Sequence, residues 1–467
     1  MNLLVRRHRS VVTALSLAAL AFLLPGYLFA GTYQVVPGVG APTCVSNLAS
    51  YPSISQAVTS VPTGSTIKIC PGTYAEQVVI NKNLTLEGVA GNGSTGTSAS
   101  GSNNPVIVSP SGGVQANTTD LYGYPSGEPT AAQILVATLP NSHGVWGAPI
   151  VVNISNITVD GSNNGLSSCG TDFVGIYYQN ASGTVNHVTT RYQELPTADF
   201  GCQDGLAIYA QSGYGTGTGT VTIENSSVHD YDKNGITADG AGTVATITGN
   251  YVVGIGATPL IAQNGIQLSD GADGKISSNT VTDDVYICGS NCYSATGILL
   301  YDSGGTNSSH VTVSSNAVSN TQGAIVAITD GAATADYNDV TSNKITTSPS
   351  AGIYLLDGID LCSDHNTATS NTVFNSSGSG IHIDGECTEP DSSTTGVDTT
   401  VTTNTVNEAC AGVLTGPGTG AGTGNSVSGI STYNVVEAIA TGDTCPVGNG
   451  GPSVKATGKI RPKPLHH

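Results

Sequence analysis

Gly235-Ile236, Asn250-Tyr251-Val252, Gly265-Ile266, Asn279-Thr280-Val281, Gly297-Ile298: between residues 235 and 298 two short marks alternate. Reading outward, a near-regular series of nine glycine marks runs through Gly175-Ile176, Gly205-Leu206, the three marks above, Gly323-Ala324-Ile325, Gly352-Ile353, Gly380-Ile381 and Gly412-Val413. The intervals are 30, 30, 30, 32, 26, 29, 28 and 32 residues. An Asn-x-Val or Asn-x-Ile series runs out of phase with it, at Asn186, Asn250, Asn279, Asn316, Asn343, Asn371, Asn404 and Asn425, with Ser226 in the vacant slot. Two marks per period describe a coil wound on itself, whose units bury an apolar face only by stacking.

The composition selects the kind of coil. Long helical runs of Ala, Leu, Glu and Lys are absent. Short alternating pieces such as Thr220-Val221-Thr222-Ile223 and Val311-Thr312-Val313 stand between Gly, Ser, Asn and Asp, which reads as strands and turns. With 61 glycines and few charges, the chain fits an all-β solenoid, a parallel β-helix with about three short strands per turn. An inward asparagine at one recurring corner can bond backbone groups of the next turn, so the Asn series reads as structural.

The first thirty residues carry Arg6, Arg7 and Arg9, an apolar stretch from Val11 to Leu24, and a cleavage point near Ala30. That is a signal peptide, and it places the mature protein outside the cytoplasm, secreted or periplasmic. No later apolar run reaches the ~18–20 residues of a membrane span. The ten cysteines pair as neighbours in order: Cys44 with Cys70, Cys169 with Cys202, Cys288 with Cys292, Cys362 with Cys387, Cys410 with Cys445. Sequence alone leaves that connectivity open. The formal charge of −19 becomes −22 once the three arginines are removed, which argues against a nucleic-acid partner. Arg191 is then the only arginine of the folded body. One domain spans 31–445, with an irregular loop-rich insertion over 91–148 and a flexible tail over 446–467.

Residues 44–64 read as an N-terminal cap. Tyr51 to Pro62 forms a short amphipathic helix with Ser53 at its start, suited to plugging the open end of the coil. Strands around Ile69, Pro71-Gly72-Thr73-Tyr74, Glu76, Val79 and Leu84-Thr85-Leu86-Glu87-Gly88 follow. This opening resembles that of the pectate-lyase-like superfamily of right-handed parallel β-helix proteins, which includes pectin methylesterases and polygalacturonases. The repeats further resemble those of polysaccharide lyases and mannuronan epimerases. The resemblance covers residues 44–440 and implies a right-handed β-helix with a short N-terminal capping helix.

Loop lengths indicate where chemistry lies. From the Asn-series residue to the next Gly mark, plain coils take 7 to 9 residues, whereas the stretches from 186 to 205, 250 to 265 and 279 to 297 take 19, 15 and 18. Long loops on one face of a solenoid build its binding surface. Just before the Gly marks lie Gln203-Asp204, Asp232-Lys233-Asn234 and Gln263-Asn264, with Arg191, Glu194 and Asp199 from one wall and Asp283 and Asp284 from another. Asp204, Asp232, Arg191 and Lys233 are the candidate catalytic residues. Gln203, Asn234, Asn264 and Glu194 are candidate substrate contacts, with Tyr178, Tyr209 and Tyr231 as stacking faces for sugars. Asp199, Asp283 and Asp284 are candidate ligands for Ca2+. Cys202-Gln203-Asp204-Gly205-Leu206 is similar to an element of polygalacturonases and of pectin methylesterases, but the paired aspartates and Gly-His-Gly of the former and the Leu-Gly-Arg-Pro-Trp of the latter are missing, so neither activity transfers.

Two mechanisms stay open. In hydrolysis, Asp204 with Asp232 or Asp284 would supply acid and base. In β-elimination or epimerisation, Lys233 or Arg191 would remove the proton beside a uronate carboxylate, with Ca2+ neutralising it. The structural alternative is that Arg191 and Lys233 pair with acidic neighbours on the coil. Asp239, Asp270, Asp302, Asp330, Asp357 and Asp384 recur three to five residues after the aliphatic mark, an arrangement that could form a calcium ladder, although tight Asp-Gly turns explain most of them. Asp357, Asp360, Asp364, His365, His382, Asp384 and Glu386 form a group able to hold a metal, against the alternative of a disulfide-stapled turn region around Cys362 and Cys387. The functional expectation is a secreted protein that cleaves polysaccharide, its groove near the coils of Gly205 to Gly297. The competing reading is a non-catalytic surface or matrix protein that binds glycans or forms a rigid acidic rod.

Overall fold

The computed structural model describes residues 29–89, 104–122, 126–287, 295–303, 310–328, 336–346, 357–384, 399–415, 423–429 and 433–437. Residues 1–28 of the expected signal peptide, the tail expected over 446–467, Cys288, Cys292, Cys387 and Cys445 lie outside these. Almost every strand pairs in parallel with its counterpart one coil away, and one face is a ladder of thirteen strands. Two further ladders run alongside. One contains Ser227–His229, Tyr251–Thr258 and Thr280–Tyr286, and the other Leu206–Gln211, Asn234–Asp239, Asn264–Ser269 and Thr296–Tyr301.

The aliphatic marks become a column through the core. Ile176, Ile208, Ile236, Ile266, Ile298, Ile325, Ile359 and Ile381 are consecutive register partners, all fully buried. Each such burial is worth roughly 1.5–3 kcal/mol. Two marks differ from the sequence reading. Leu206 pairs with Asn234, so Ile208 holds the column position in that coil. Gly352-Ile353 lies outside the described residues, and Gly358-Ile359 fills its column.

The two sequence series form one packing device. A Cβ on Gly265 would sit 2.5 Å from Val281 Cγ1 and 2.8 Å from the Gly297 carbonyl oxygen, and one on Gly380 only 2.2 Å from Val406 Cγ1. Val252, Val281, Val318 and Val406 of the Asn-x-Val series therefore seat against Gly235, Gly265, Gly297 and Gly380. Overpacking of this kind costs about 1–3 kcal/mol, so Gly265→Ala should lower the urea midpoint by that equivalent, with an unchanged m-value.

The Asn series forms a continuous internal ladder. Each backbone N–H of Asn250, Asn279, Asn316, Asn343, Asn371 and Asn404 donates to the side-chain oxygen of the next member at 2.8–2.9 Å. The amide nitrogens reach back to carbonyls of the preceding coil, as in Asn316 Nδ2 to Ile276 O at 3.0 Å. The residue before each is left-handed, for example Ser278, Ser315, Ser342 and Ser370 with φ of 57–58°, which turns the chain through the corner. Asn186 is not a member. The ladder passes from Ser226, whose hydroxyl accepts from Val188 N at 3.1 Å, so Val188 occupies the corresponding position. A second, shorter ladder at Asn338 and Asn366 was not anticipated.

A helix spans Ile54–Ser60, with the Ser53 hydroxyl accepting from Gln56 N. Glu76 completes its start by accepting from Ile54 N and Ser55 N, both at 2.9 Å. Disulfides join Cys44 to Cys70 and Cys169 to Cys202. Cys362 is also disulfide-bonded. The other pairings fall on residues outside the described set. No helix among the described residues is long and apolar enough to cross a membrane.

Candidate functional site

The structure gathers Asp204, Asp232, Lys233 and Asp284, but inside the protein. Asp204 is buried and its Oδ1 accepts from Phe173 N and Gly205 N, which closes the turn into the strand. Asp232 Oδ2 accepts from Leu195 N at 2.6 Å and holds the long loop against the coil. Lys233 is fully buried and donates to Ala262 O at 2.7 Å. Tyr231 donates to Asp284 Oδ1 at 2.6 Å. Burial pushes the Asp204 carboxyl up to about 7 and Asp232 up to about 9. It also raises Asp284 well above the usual carboxylate range, against the opposing hydrogen bond from Tyr231 and the charge of Lys233. This seam satisfies the backbone of the long loops, the obligation any buried loop must meet.

The remaining expected contacts are dispersed. Arg191 Nε pairs with Asp160 Oδ2 at 2.8 Å on the half-exposed surface, with the guanidinium carbon 5.8 Å from the centre of the Tyr192 ring. Gln203 Nε2 donates to Gly201 O at 3.2 Å. The Glu194 carboxyl is raised by burial and then by the charge of Asp230. The expected sugar platforms are corrected: Tyr178, Tyr209 and Tyr231 are fully buried, and Tyr178 donates to Val152 O at 2.8 Å inside the core. Large aromatics at inward or covered positions of a strand fill volume. Asp283 accepts from Asn320 and Thr282 while its neighbour Asp284 turns inward to Tyr231. Among the described residues the three-donor group that gathers is Asp357, Asp360 and His382, without Asp199, Asp283 or Asp284.

A different polar site lies at the exit of the same strands. Ile236 and Ala238 join the core, so Thr237 and Asp239 face outward, as do Gln267 and Ser269 one coil on. Asn234 and Asn264 stand at the head of this outer row, with Asn264 Nδ2 donating to Asn234 Oδ1 at 3.2 Å. The segment around Thr118–Leu121 folds over it, Leu121 N donating to Gln211 Oε1 at 2.9 Å. Asp239 Oδ2 accepts from Gln211 Nε2 at 3.0 Å, Tyr214 OH at 3.0 Å and Tyr209 OH at 3.3 Å, and its Oδ1 accepts from Ser269 Oγ at 2.9 Å. Gln211 and Tyr209 also reach Asp120, at 3.1 and 3.4 Å.

Asp270 and Asp302 follow the next two strand ends in left-handed geometry, with φ of 53° and 48°. Burial, the charge of Asp239 and a hydrogen bond to it push Asp270 up to about 8, with Asp302 and Asp120 adding to the shift. An aromatic rim completes the site. Tyr122, 51% exposed, meets Tyr214 edge-on at 5.8 Å, and Trp146 is half-buried beside Gly215.

Residues 152–358 match the family model of the right handed beta helix region. The protein is a right-handed parallel β-helix. A right-handed β-helix is the fold that the sequence resemblance implied. Among curated proteins none matches the sequence. Similar solved structures include the DFA-IIIase of Arthrobacter chlorophenolicus A6 without its lid in complex with GF2, at 14% identity over 86% of this chain and 93% of that one, TM-score 0.46. Another is the mannuronan C-5 epimerase A-module of Azotobacter vinelandii, at 12% identity over 82% and 91%, TM-score 0.40. A third is the family 28 exopolygalacturonase of Yersinia enterocolitica, at 12% identity over 88% and 78%, TM-score 0.37.

On this β-helix, a proton-bearing carboxyl at Asp270 adjoins an Asp239 carboxyl fixed by four donors. Such a pair can give a proton to a leaving oxygen and support attack on the carbon left behind. Asp239, Asp270 and Asp302 were visible in the sequence as a recurring post-strand aspartate, a pattern turn chemistry also explains. Asp120 carried no local signal, since 89 residues separate it from Tyr209.

Proposed function

We propose that this β-helix is a secreted carbohydrate-active enzyme that hydrolyses or transfers glycosidic bonds of a neutral glycan, with Asp270 as general acid and Asp239 as its carboxylate partner. The observation that carries the reading is the adjacency of these two groups, at the strand exits and beneath an aromatic rim of Tyr122, Tyr214 and Trp146. Asp270 reaches about 8 and holds its proton at neutral pH, as a general acid requires. Tyr214 and Ser269 orient Asp239, and the rim rings offer stacking faces to sugars.

Elimination finds less support. Lys233 is fully buried on Ala262 O and Arg191 is paired with Asp160, so neither candidate base stands in the aspartate cluster. Asp120, Asp239, Asp270 and Asp302, on a chain of net charge −19, would repel a polyuronate. Disulfides such as Cys44 to Cys70 suit an oxidising compartment outside the cytoplasm. The helix Ile54–Ser60 would close the N-terminal end of the coil.

The test is product formation by the disulfide-intact mature protein on a panel of neutral and uronate polysaccharides. New reducing ends or transfer products from a neutral glycan, with no unsaturated uronate absorbance, are expected. Unsaturated product from a polyuronate, or no turnover on any glycan, would sink the proposal.

A further inference from the structure

We infer that Asp357, Asp360 and His382 form a divalent transition-metal site clamping two successive coils near the C-terminal end of the described helix. One ligand atom from each residue lies within 4.8 Å of the others. Asp360 and His382 are register partners on adjacent strands, with His382 Nδ1 3.1 Å from Asp360 Oδ1. Asp357, on the same strand as Asp360, accepts from Ser379 N at 2.7 Å. That backbone bond crosses to the strand carrying His382 and fixes the carboxylate, as outer contacts do around metal ligands.

The surroundings strengthen the assignment. On the coils before it the same outer face is apolar, packed by Leu299, Tyr301, Val326 and Ile328. Directly after that patch the face places the Asp357 and Asp360 carboxylates together, Asp360 in register with Val326 of the coil before. A divalent ion would neutralise both. Other members of the group expected from sequence lead elsewhere: Asp364 N donates to Asp336 and His365 stacks on Tyr337.

The donor set also selects the ion. Zinc accepts imidazole nitrogen and carboxylate oxygen at ~2.0–2.2 Å, which sets tetrahedral ligand atoms roughly 3.4 Å apart, a spacing inside the 4.8 Å that already contains the three donors. Calcium favours six to eight oxygens. The site is therefore for zinc or a similar first-row ion rather than for calcium.

The experiment is titration of the chelator-treated full mature protein with Zn2+ by calorimetry, with Co2+ absorption as the spectroscopic probe. A single site is expected, left in place by excess Ca2+ and kept when the sequence-terminal His466 and His467 are both replaced. Asp360→Asn and His382→Gln should weaken it at least ~100-fold, since even outer-shell changes cost 10–100-fold. Zn2+ should also raise the melting temperature of the wild type but of neither variant. Binding that both variants retain, binding lost with His466 and His467, or no binding at all would overturn the inference. Should a variant fail to fold, a Co2+ spectrum of the wild type that lacks ligand-field bands of an inner-sphere nitrogen site overturns it independently.

Discussion

Asp270→Asn should lower kcat on any glycan the protein cleaves by about 10²–10⁴-fold, the usual contribution of a positioned general acid. It should do so without unfolding the protein, because asparagine copies the neutral carboxyl that the native site already holds. The wild-type rate should fall on the alkaline side with an apparent midpoint near the value of about 8 for Asp270, and the variant's residual rate should lack that limb. Stability gives a second reading. The native carboxyl keeps its proton above pH 3.8 whereas the unfolded chain releases it, so the unfolded state binds fewer protons from there up to about 8. The contribution of this group is thus fully present below pH 3.8 and is lost as pH rises through about 8. Asp204 and Asp232, raised to about 7 and about 9, act in the same direction. Wild-type melting temperature should decline between pH 5 and 9, with a shallower decline for Asp270→Asn. Equal slopes together with an unchanged kcat would remove Asp270 from the site.

Legibility in the sequence followed the range of each constraint. Gly265 and Val281 were found because each coil imposes the same steric demand, so the pattern repeats. The Asn ladder was legible for the same reason, and Asn186 misled because Asn-x-Val specifies a spacing and not a corner, which Val188 and Ser226 occupy. Loop lengths pointed to the coils that carry both aspartate groups. They did not distinguish the entry of a strand, where Asp204, Asp232 and Lys233 secure long loops, from its exit, where Asp239 and Asp270 meet. Whether a tyrosine faces inward or outward is also undetermined by composition: Tyr178 points to the core and Tyr177 outward, one residue apart. Asp120 depends on an insertion folding back over the coil, a contact no local pattern encodes.

Asn316→Ala should be among the most destabilising single changes, by about 3–5 kcal/mol. The side chain accepts from Asn279 N at 2.9 Å and Asn279 Nδ2 at 3.0 Å, and donates to Ile276 O and Asn343 Oδ1, both at 3.0 Å. Alanine leaves at least a buried N–H and a buried C=O without these partners, each costing ~1–3 kcal/mol, and opens a cavity at a corner where every coil packs. Because coils of a solenoid contact only their neighbours, the damage should be local as well as large. Hydrogen exchange should accelerate first in Asn279 and the strands flanking Asn316, ahead of the N-terminal coils. Asn316→Ser should cost roughly half as much. Ser226 shows why: its hydroxyl serves Val188 N at 3.1 Å and Glu224 O at 2.9 Å, keeping the accepting role while giving up the amide's reach to the previous coil. If alanine and serine prove equally mild, the ladder's hydrogen bonds would be replaceable by water and the corner would be held by valine–glycine packing alone.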